Sequence, residues 1–212
     1  MDCRMTIGKG NFMRGIFAVT LLWMQCVVLG SVSAQSLIGE VEENRSPITG
    51  RVHHVVGVDG SPLPLPEGVA PDLADIYQVL DVHGDRLGIR FPKQELEAVR
   101  TERCSLGQIH HTFQQVYLGV KVFSGVVKVH LRSDGTPLVI NGDFYRLPKK
   151  LPVKPSITVE EALVFAEAAL EQIVLVQTTD AELVIANPGW WGDPALEQPV
   201  LAHHLVVEGP EM

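Results

Sequence analysis

The sequence predicts an α+β fold in which two units, each a helix followed by an antiparallel sheet, succeed one another, the second of them cut short. Three observations predict it. An amphipathic helix precedes three closely spaced strands, a proline-rich breaker follows them, and a second capped helix then precedes two more strands. Of the 212 residues, 46% are hydrophobic and 20% charged, which is enough apolar material for a packed core.

The first 34 residues have the pattern of a secretory signal peptide. A basic start precedes an apolar run at 16–30, and small residues follow it. We expect cleavage between Ala34 and Gln35, and therefore a secreted or extracytoplasmic protein. A membrane-spanning helix needs about 20 apolar residues, so no stable membrane anchor is expected after cleavage, although a retained anchor is the alternative.

Residues 35–68 are predicted to be a leading segment or linker, because alternate prolines at 62, 64 and 66 favour an extended chain. A short strand is predicted at 53–58. A helix is predicted at 70–82, where Asp72 suits the N-cap and apolar residues recur at helical spacing. The charged stretch 93–103 also has helical spacing, at Leu96 and Val99, and is interpreted as a solvated surface.

Residues 108–145 predict three strands, at 108–117, 120–132 and 136–144, joined by short turns that contain glycine. Apolar residues alternate with Lys128, His130 and Arg132 in the second strand, so one face is expected to be buried and the other solvated. Such short connections predict an antiparallel meander. Gly125 in mid-strand indicates a bulge or a close backbone contact.

The second unit begins after the breaker at 147–152. Thr158 and Glu161 have the spacing of a capping box, and a helix is predicted from 159 to about 173. Strands are predicted at 182–186 and 201–207, separated by a turn-rich stretch. In that stretch Trp190 and Trp191 have two interpretations: a platform for a sugar or a protein, or a cover over the open end of the sheet.

Composition and motifs exclude several classes of function. The formal net charge is −8 and no Lys/Arg cluster occurs, so no nucleic-acid partner is expected. The sequence contains no His-Glu-x-x-His, Walker or Gly-x-Ser-x-Gly motif, and its acidic residues show no pairing suited to acid–base chemistry, so no catalytic residue is assigned. Three scattered cysteines are too few for a disulfide framework.

Residues 110–125, HHTFQQVYLGVKVFSG, resemble the strand pair H-x-x-x-Q-x-Y-x-G-V-x-V-x-x-G of the FTP domain, the fungalysin/thermolysin propeptide. Residues 129–131, 134–135 and 139–144 continue the pattern in order. Residues 157–163 and 201–207 are similar to a PepSY domain. The resemblance therefore divides the chain into an FTP-like domain at 69–151 and a partial PepSY-like domain at 152–212. The final strand and the protease domain that follow in the family are missing from the sequence.

The resemblance implies a secreted, non-catalytic propeptide that inhibits a thermolysin-like zinc metalloprotease and assists its folding, in cis or in trans. Zinc and calcium are expected only in an associated protease domain. Gln114, Tyr117 and Phe123 are candidate contacts, although for each aromatic a place in the core is the alternative. Two other interpretations stay open: a free-standing exported module that binds or inhibits proteases in trans, or the N-terminal fragment of a metalloendopeptidase precursor.

Adjacent histidines occur three times, at 53–54, 110–111 and 203–204. Neighbours in a strand point to opposite faces of the sheet, so one such pair cannot bind a single ion well. A metal site would need histidines from several strands and a carboxylate. The sequence therefore predicts no metal site in this chain.

Overall fold

The computed structural model of the chain describes residues 40–47, 49–66, 75–169, 177–191 and 198–208. The chain divides after Ala34, and all of these residues belong to the second unit, Gln35–Met212. The signal peptide predicted at 1–34, with its cleavage junction Ala34/Gln35, lies outside them. Their elements are β1 Val41–Arg45, β2 Val52–Gly57, α1 Ile76–Leu87, α2 Pro92–Glu95, β3 Leu96–Arg103, β4 Ile109–Tyr117, β5 Val120–Leu131, β6 Pro137–Gly142, α3 Val159–Ala169, β7 Gln177–Ala186 and β8 Val200–Glu208.

The eight strands belong to one hydrogen-bonded sheet. Six of them run β1-β2-β6-β5-β4-β3, each antiparallel to its neighbours. Strand β7 joins this sheet through a short parallel pairing with the start of β5 and pairs antiparallel with β8 along its whole length. The mixed α/β composition is confirmed. The division into two helix-plus-sheet units stays a prediction, because strands from both predicted units share the sheet.

The predicted meander is present, as β4, β5 and β6, with ends within two residues of those predicted. Leu118 and Gly119 form the first turn with positive φ angles of 50° and 82°, which glycine adopts readily and leucine rarely. The alternation of β5 is as predicted: Val127, Val129 and Leu131 are buried, and the polar residues between them face the other side. Regular alternation therefore identified this part of the sheet correctly.

Helix α1 covers the buried face of the sheet, but it lies further along the chain than the sequence predicts. It spans Ile76–Leu87 instead of 70–82, and its N-cap is Asp75, whose carboxylate accepts the Tyr77 N–H at 3.1 Å. The predicted cap, Asp72, lies outside the described residues. The helix continues past residue 82 because its next turns pack into the core, and it ends at Gly88, where φ is 102°.

The charged stretch 93–103, whose spacing looked helical, is a strand for most of its length. Only Pro92–Glu95 form a single helical turn, and β3 then pairs with β4 from Leu96 to Arg103. Strand β3 lies at the end of the strand order of the described sheet. Seven of its eight residues are exposed, and Leu96 is buried. Pairing with β4 provides its backbone hydrogen bonds, and this outweighs a weak helical periodicity.

The predicted leading segment contributes to the sheet. The expected strand at 53–58 is β2, whereas β1 was not predicted. The extended prolines after β2 bring Leu63 into the core, where it is 2% exposed and its N–H donates to Pro137 O at 2.8 Å. This segment is therefore packed against β6.

The predicted capping box of α3 is confirmed. The Thr158 N–H donates to the Glu161 carboxylate at 2.8 Å, and the Glu161 N–H donates to Thr158 Oγ1 at 3.2 Å. The structure describes this helix as far as Ala169, so the predicted end near residue 173 lies outside the described residues. Within the described segments, no helix is both long and apolar enough to cross a membrane.

One buried histidine makes the stability of this fold depend on pH. His83 of α1 is fully buried, and its Nε2–H donates to Pro64 O at 2.7 Å, whereas its Nδ1 has no hydrogen-bond partner. Burial lowers the pKa of His83 below the ordinary 6.5, with the positive charge of Arg86 acting in the same direction and Asp85 and the bond to Pro64 opposing it. The native state therefore holds the neutral ring.

We predict that the free energy of unfolding falls as the pH drops below 6.5. In that range the unfolded chain binds a proton at His83 and the native chain does not. The stability that the neutral His83 contributes is therefore complete above pH 6.5 and is lost towards lower pH. Urea unfolding between pH 5 and 7.5 measures it. His83→Gln, which keeps an N–H donor for Pro64, should show a smaller pH slope than the parent chain; an equal slope would contradict the assignment.

Candidate protein-binding site at the end of the meander

Strand β5 is interrupted by a wide bulge near its start. Gln114 of β4 pairs with Val126 and Val116 pairs with Lys121, so four residues of β5 stand opposite Gln115 alone. Ser124 in this bulge has a positive φ of 61°. The bulge bends β5 and frees its first residues to pair with β7.

The side chain of Gln114 holds this bulge together. Its Nε2 donates to three backbone carbonyls: Gln115 O at 3.0 Å, Val122 O at 2.8 Å and Gly125 O at 3.0 Å. A buried carbonyl without a donor is costly, so one amide satisfies acceptors that the interrupted ladder leaves unpaired. The amide nitrogen of this predicted contact residue is thus used inside the chain.

Gln115 joins the bulge to the segment that follows the meander. It is 2% exposed; its Nε2 donates to Tyr145 O at 2.6 Å and its Oε1 accepts the Tyr145 N–H at 2.9 Å. Gly125 lies against it, and a Cβ added there would come within 2.8 Å of Gln115 Oε1. Both features predicted as alternatives at Gly125, a bulge and a close contact at its backbone, are therefore present.

Tyr117 makes a similar connection further along the same segment. Its hydroxyl donates to Lys149 O at 3.0 Å and accepts the Leu151 N–H at 3.3 Å. Its ring packs against the second of two hydrophobic clusters, which is built on Val122, Tyr145 and Ile185. Tyr117 is accordingly half-buried and stabilises the chain from residue 145 to 151.

Phe123, the third predicted contact, lies beside β8. Its ring is half-buried and 4.8 Å from that of His204, between centroids, with the two planes tilted by 53°. The structure thus brings all three predicted residues to one end of the meander. Whether they contact a partner stays a prediction.

The two tryptophans were given two interpretations, and Trp190 has a packing role. Its ring stacks on Tyr145 with centroids 3.9 Å apart and planes 17° apart, and it packs against the second cluster. The guanidinium of Arg51 lies over the same tyrosine ring, 4.3 Å from its centroid. Trp190 therefore covers the junction between β5 and β7.

A groove of about 350 Å³ opens beside these residues, between the end of α1, α2 and the segment 144–149. The Glu95 carboxylate shapes its wall by accepting the N–H groups of Arg90 and Phe91, both at 2.8 Å. Phe91 is 59% exposed, and Arg146 and Lys149 add positive charge to the same groove. An exposed aromatic ring among cations is typical of a protein-binding site.

The adjacent histidines face opposite sides of β4, as predicted. His110 lies on the solvated face against His130, with their Nδ1 atoms 2.6 Å apart. His111 lies on the other face, with its Nδ1 3.0 Å from Thr101 Oγ1, and burial lowers its pKa. In the parts of the chain that the structure describes, no three or more His, Cys, Asp or Glu side chains gather as a metal-binding group.

Analysis of the sequence missed the roles of Gln115, Tyr145 and Phe91. The quoted pattern H-x-x-x-Q-x-Y contained a signal for the first, because its Gln and Tyr fall on Gln115 and Tyr117 when its His is placed on His111. Phe91 and Tyr145 have no such signal, since their roles depend on contacts between segments distant in sequence.

We predict that Gln115→Ala lowers the free energy of unfolding by about 2–4 kcal/mol, because it removes two hydrogen bonds and leaves the buried backbone of Tyr145 unpaired. Chemical denaturation at neutral pH measures the change. Gln94→Ala, on the exposed side of α2, is the matched control and should stay within about 0.5 kcal/mol of the parent chain. Equal stability of the two variants would show that the Gln115 bonds contribute nothing.

Comparison with known proteins finds a family model that matches one part of this site. Residues 94–144 match the family model "Fungalysin/Thermolysin Propeptide Motif", FTP, and this range runs from the second half of α2 to just past the end of β6. No curated protein matches the chain. One solved structure that is similar to this chain is the Bacillus megaterium YpeB C-terminal domain. The two sequences are 16% identical and the TM-score is 0.35, and the alignment covers 81% of this chain and 79% of the YpeB domain.

The predicted PepSY resemblance at 152–212 lies outside the matched range and stays a prediction, as do the domain bounds. The match covers β3 to β6, which contain Gln114, Gln115 and Tyr117 and form one wall of the groove. Residues 94–144 of this chain are therefore similar to the fungalysin/thermolysin propeptide motif.

Proposed function

We propose that the chain is a non-catalytic pro-segment that binds a thermolysin-like zinc metalloprotease, inhibits it and assists its folding. The FTP motif at 94–144 is the observation that carries this proposal, because a propeptide motif belongs with a metalloprotease partner. The activity of such a complex resides in the partner, as do the zinc and calcium that we expect there.

The groove and the edge strand beside it supply a suitable surface. Phe91 begins the turn that leads into β3, so the exposed ring and the exposed edge strand are continuous along the chain. An edge strand offers unpaired backbone groups to an extended segment of a partner, and an aromatic anchor adds affinity at the centre of a contact. Binding of this kind needs no catalytic group.

Inhibition and folding assistance follow from one interaction. A segment that covers the substrate cleft excludes substrate, and a specific contact of this sort buries about 1,200–2,000 Å². Because the segment binds the native protease and not the unfolded chain, it also shifts the folding equilibrium towards the native state. The same surface serves in cis, within a longer precursor, or in trans.

Export is the remaining part of the proposal. The pattern of residues 1–34 supports a signal peptide that directs the chain out of the cytoplasm, where a secreted protease acts. We place the pro-segment with its partner in that extracytoplasmic compartment.

We predict that the full chain slows peptide hydrolysis by a thermolysin-like protease and that Phe91→Ser raises the inhibition constant about tenfold, because an exposed anchor is lost. Initial rates at increasing inhibitor concentration measure it. Leu106→Ser is the matched control: Leu106 is 82% exposed in the turn between β3 and β4, away from the groove, and its loss should leave the constant unchanged.

Two results would contradict this proposal. A parent chain without effect at micromolar concentration would oppose the inhibitory function itself. Inhibition that is equally strong in Phe91→Ser and Leu106→Ser would oppose the groove as the binding surface, provided that both variants retain the circular dichroism spectrum of the parent.

A further inference from the structure

We propose that the groove continues into a positively charged cavity, the arginine pocket, which binds the carboxylate side chains of an acidic segment of the partner protein. The pocket has a volume of about 390 Å³ and lies between the turn after β1, the end of α1 and the chain after β6. Four arginines line it: Arg45, Arg51, Arg86 and Arg146. The site rests on the proposed function, because the same partner occupies the groove and the pocket.

The groove and the arginine pocket are adjacent. Gly88, Phe144 and Arg146 line both of them. Gly88 ends α1, and a Cβ added there would come within 3.0 Å of Arg146 Nε, so the Arg146 side chain lies directly against the end of the helix. The exposed Phe91 ring lines the groove, and Arg45 lines the pocket. One continuous surface therefore offers an aromatic anchor in one part and cations in the other.

A carboxylate of the chain itself shows how this pocket binds an acid. Glu43 of β1 accepts from Arg86 at 2.8 Å and from Arg45 at 3.1 Å. Planar guanidinium groups suit carboxylate oxygens, and here one carboxylate fits between two of them. Among the described residues, no carboxylate forms an ion pair with Arg51 or Arg146. These two cations are therefore open to a carboxylate from another chain.

The balance of charge in the pocket is positive. Glu43 offsets one of the four guanidinium groups, and Asp143 lines a neighbouring cavity together with Arg51. The C-terminal end of α1 adds a partial negative charge of about half a unit. With both carboxylates and this half charge counted, the four arginines still leave the pocket positive.

Arg51 is held in position before a ligand binds. Its guanidinium lies over the ring of Tyr145, 4.3 Å from the centroid, and this contact leaves its charge intact. The backbone of Tyr145 is in turn fixed by Gln115. A donor that is already positioned loses less conformational entropy on binding, so Arg51 contributes more affinity than a mobile surface cation.

Charge and continuity favour an acidic polypeptide as the ligand. The chain as a whole has a formal net charge of −8, so an acidic segment is repelled by most of the molecule and attracted to this pocket. The groove beside it suits a polypeptide, and flexible Glu and Asp side chains reach several arginines at once. A small free anion gains nothing from the groove.

Calorimetric titration of the full chain with two synthetic peptides tests this site. The probe is acetyl-Leu-Glu-Glu-Glu-Glu-amide, and its counterpart has glutamine in place of every glutamate. We expect the glutamate peptide to bind at least about tenfold more tightly at low salt, and this preference to shrink as the salt concentration rises. Arg51→Gln and Arg146→Gln should each weaken its binding about fivefold.

Two further variants separate the pocket from general effects. Arg132→Gln is the matched control, because it removes the same charge from an exposed arginine in the turn after β5, at the other end of that strand from the groove, and should leave the affinity unchanged. Glu43→Gln keeps all four arginines and frees two of them from their internal carboxylate. It should tighten binding of the glutamate peptide about fivefold, which a merely destabilised chain would not do.

Several results would overturn the arginine pocket. These are equal binding of the two peptides, an equal loss in Arg132→Gln and Arg51→Gln, weaker binding in Glu43→Gln, or inorganic phosphate that binds more tightly than the glutamate peptide and displaces it. The proposed function is tested separately, by protease inhibition. A parent chain that inhibits the protease and fails with the peptides contradicts the pocket alone, whereas one that prefers the glutamate peptide and leaves the protease active contradicts the proposed function.

Discussion

The two hydrogen bonds between the Gln115 side chain and the backbone of Tyr145 are the constraint on which the groove and the segment beside it depend. They fix the chain that leaves the meander against the bulge in β5. Tyr145 in turn supports Trp190, and with Val122 and Ile185 it forms the cluster that holds β7. The groove is a consequence, because the segment that Tyr145 begins forms one of its walls.

The residues that carried the family resemblance are explained by this arrangement. Gln115 and Tyr117 bind backbone groups of the segment 145–151, Gly119 adopts the positive φ of the turn, and Gly125 leaves room for Gln115. Each of these roles is internal. The motif therefore specifies the shape of the meander, whereas Phe91 lies outside the matched residues.

How far the sequence predicts the structure depends on the range of the interactions involved. Alternation within β5 and the Thr158–Glu161 capping box are local patterns, and the structure confirms both. The helical spacing within residues 93–103 gave a wrong prediction, because hydrogen bonding to β4 makes most of this segment a strand. The hydrogen bonds of Gln115 to a residue 30 positions away and the stacking of Trp190 on Tyr145 have no local pattern at all.

The bulge also explains how strands from both predicted units share one sheet. Two residue pairs join β5 to β7 in parallel, and Lys121 adds an ion pair with Glu182 at 2.5 Å. So short a ladder contributes little by itself, and a partly exposed ion pair adds at most about 1 kcal/mol. The apolar cluster around Tyr145 therefore supplies most of the connection. Tyr145 also lines the groove, so the residue that joins the meander to β7 is part of the groove wall.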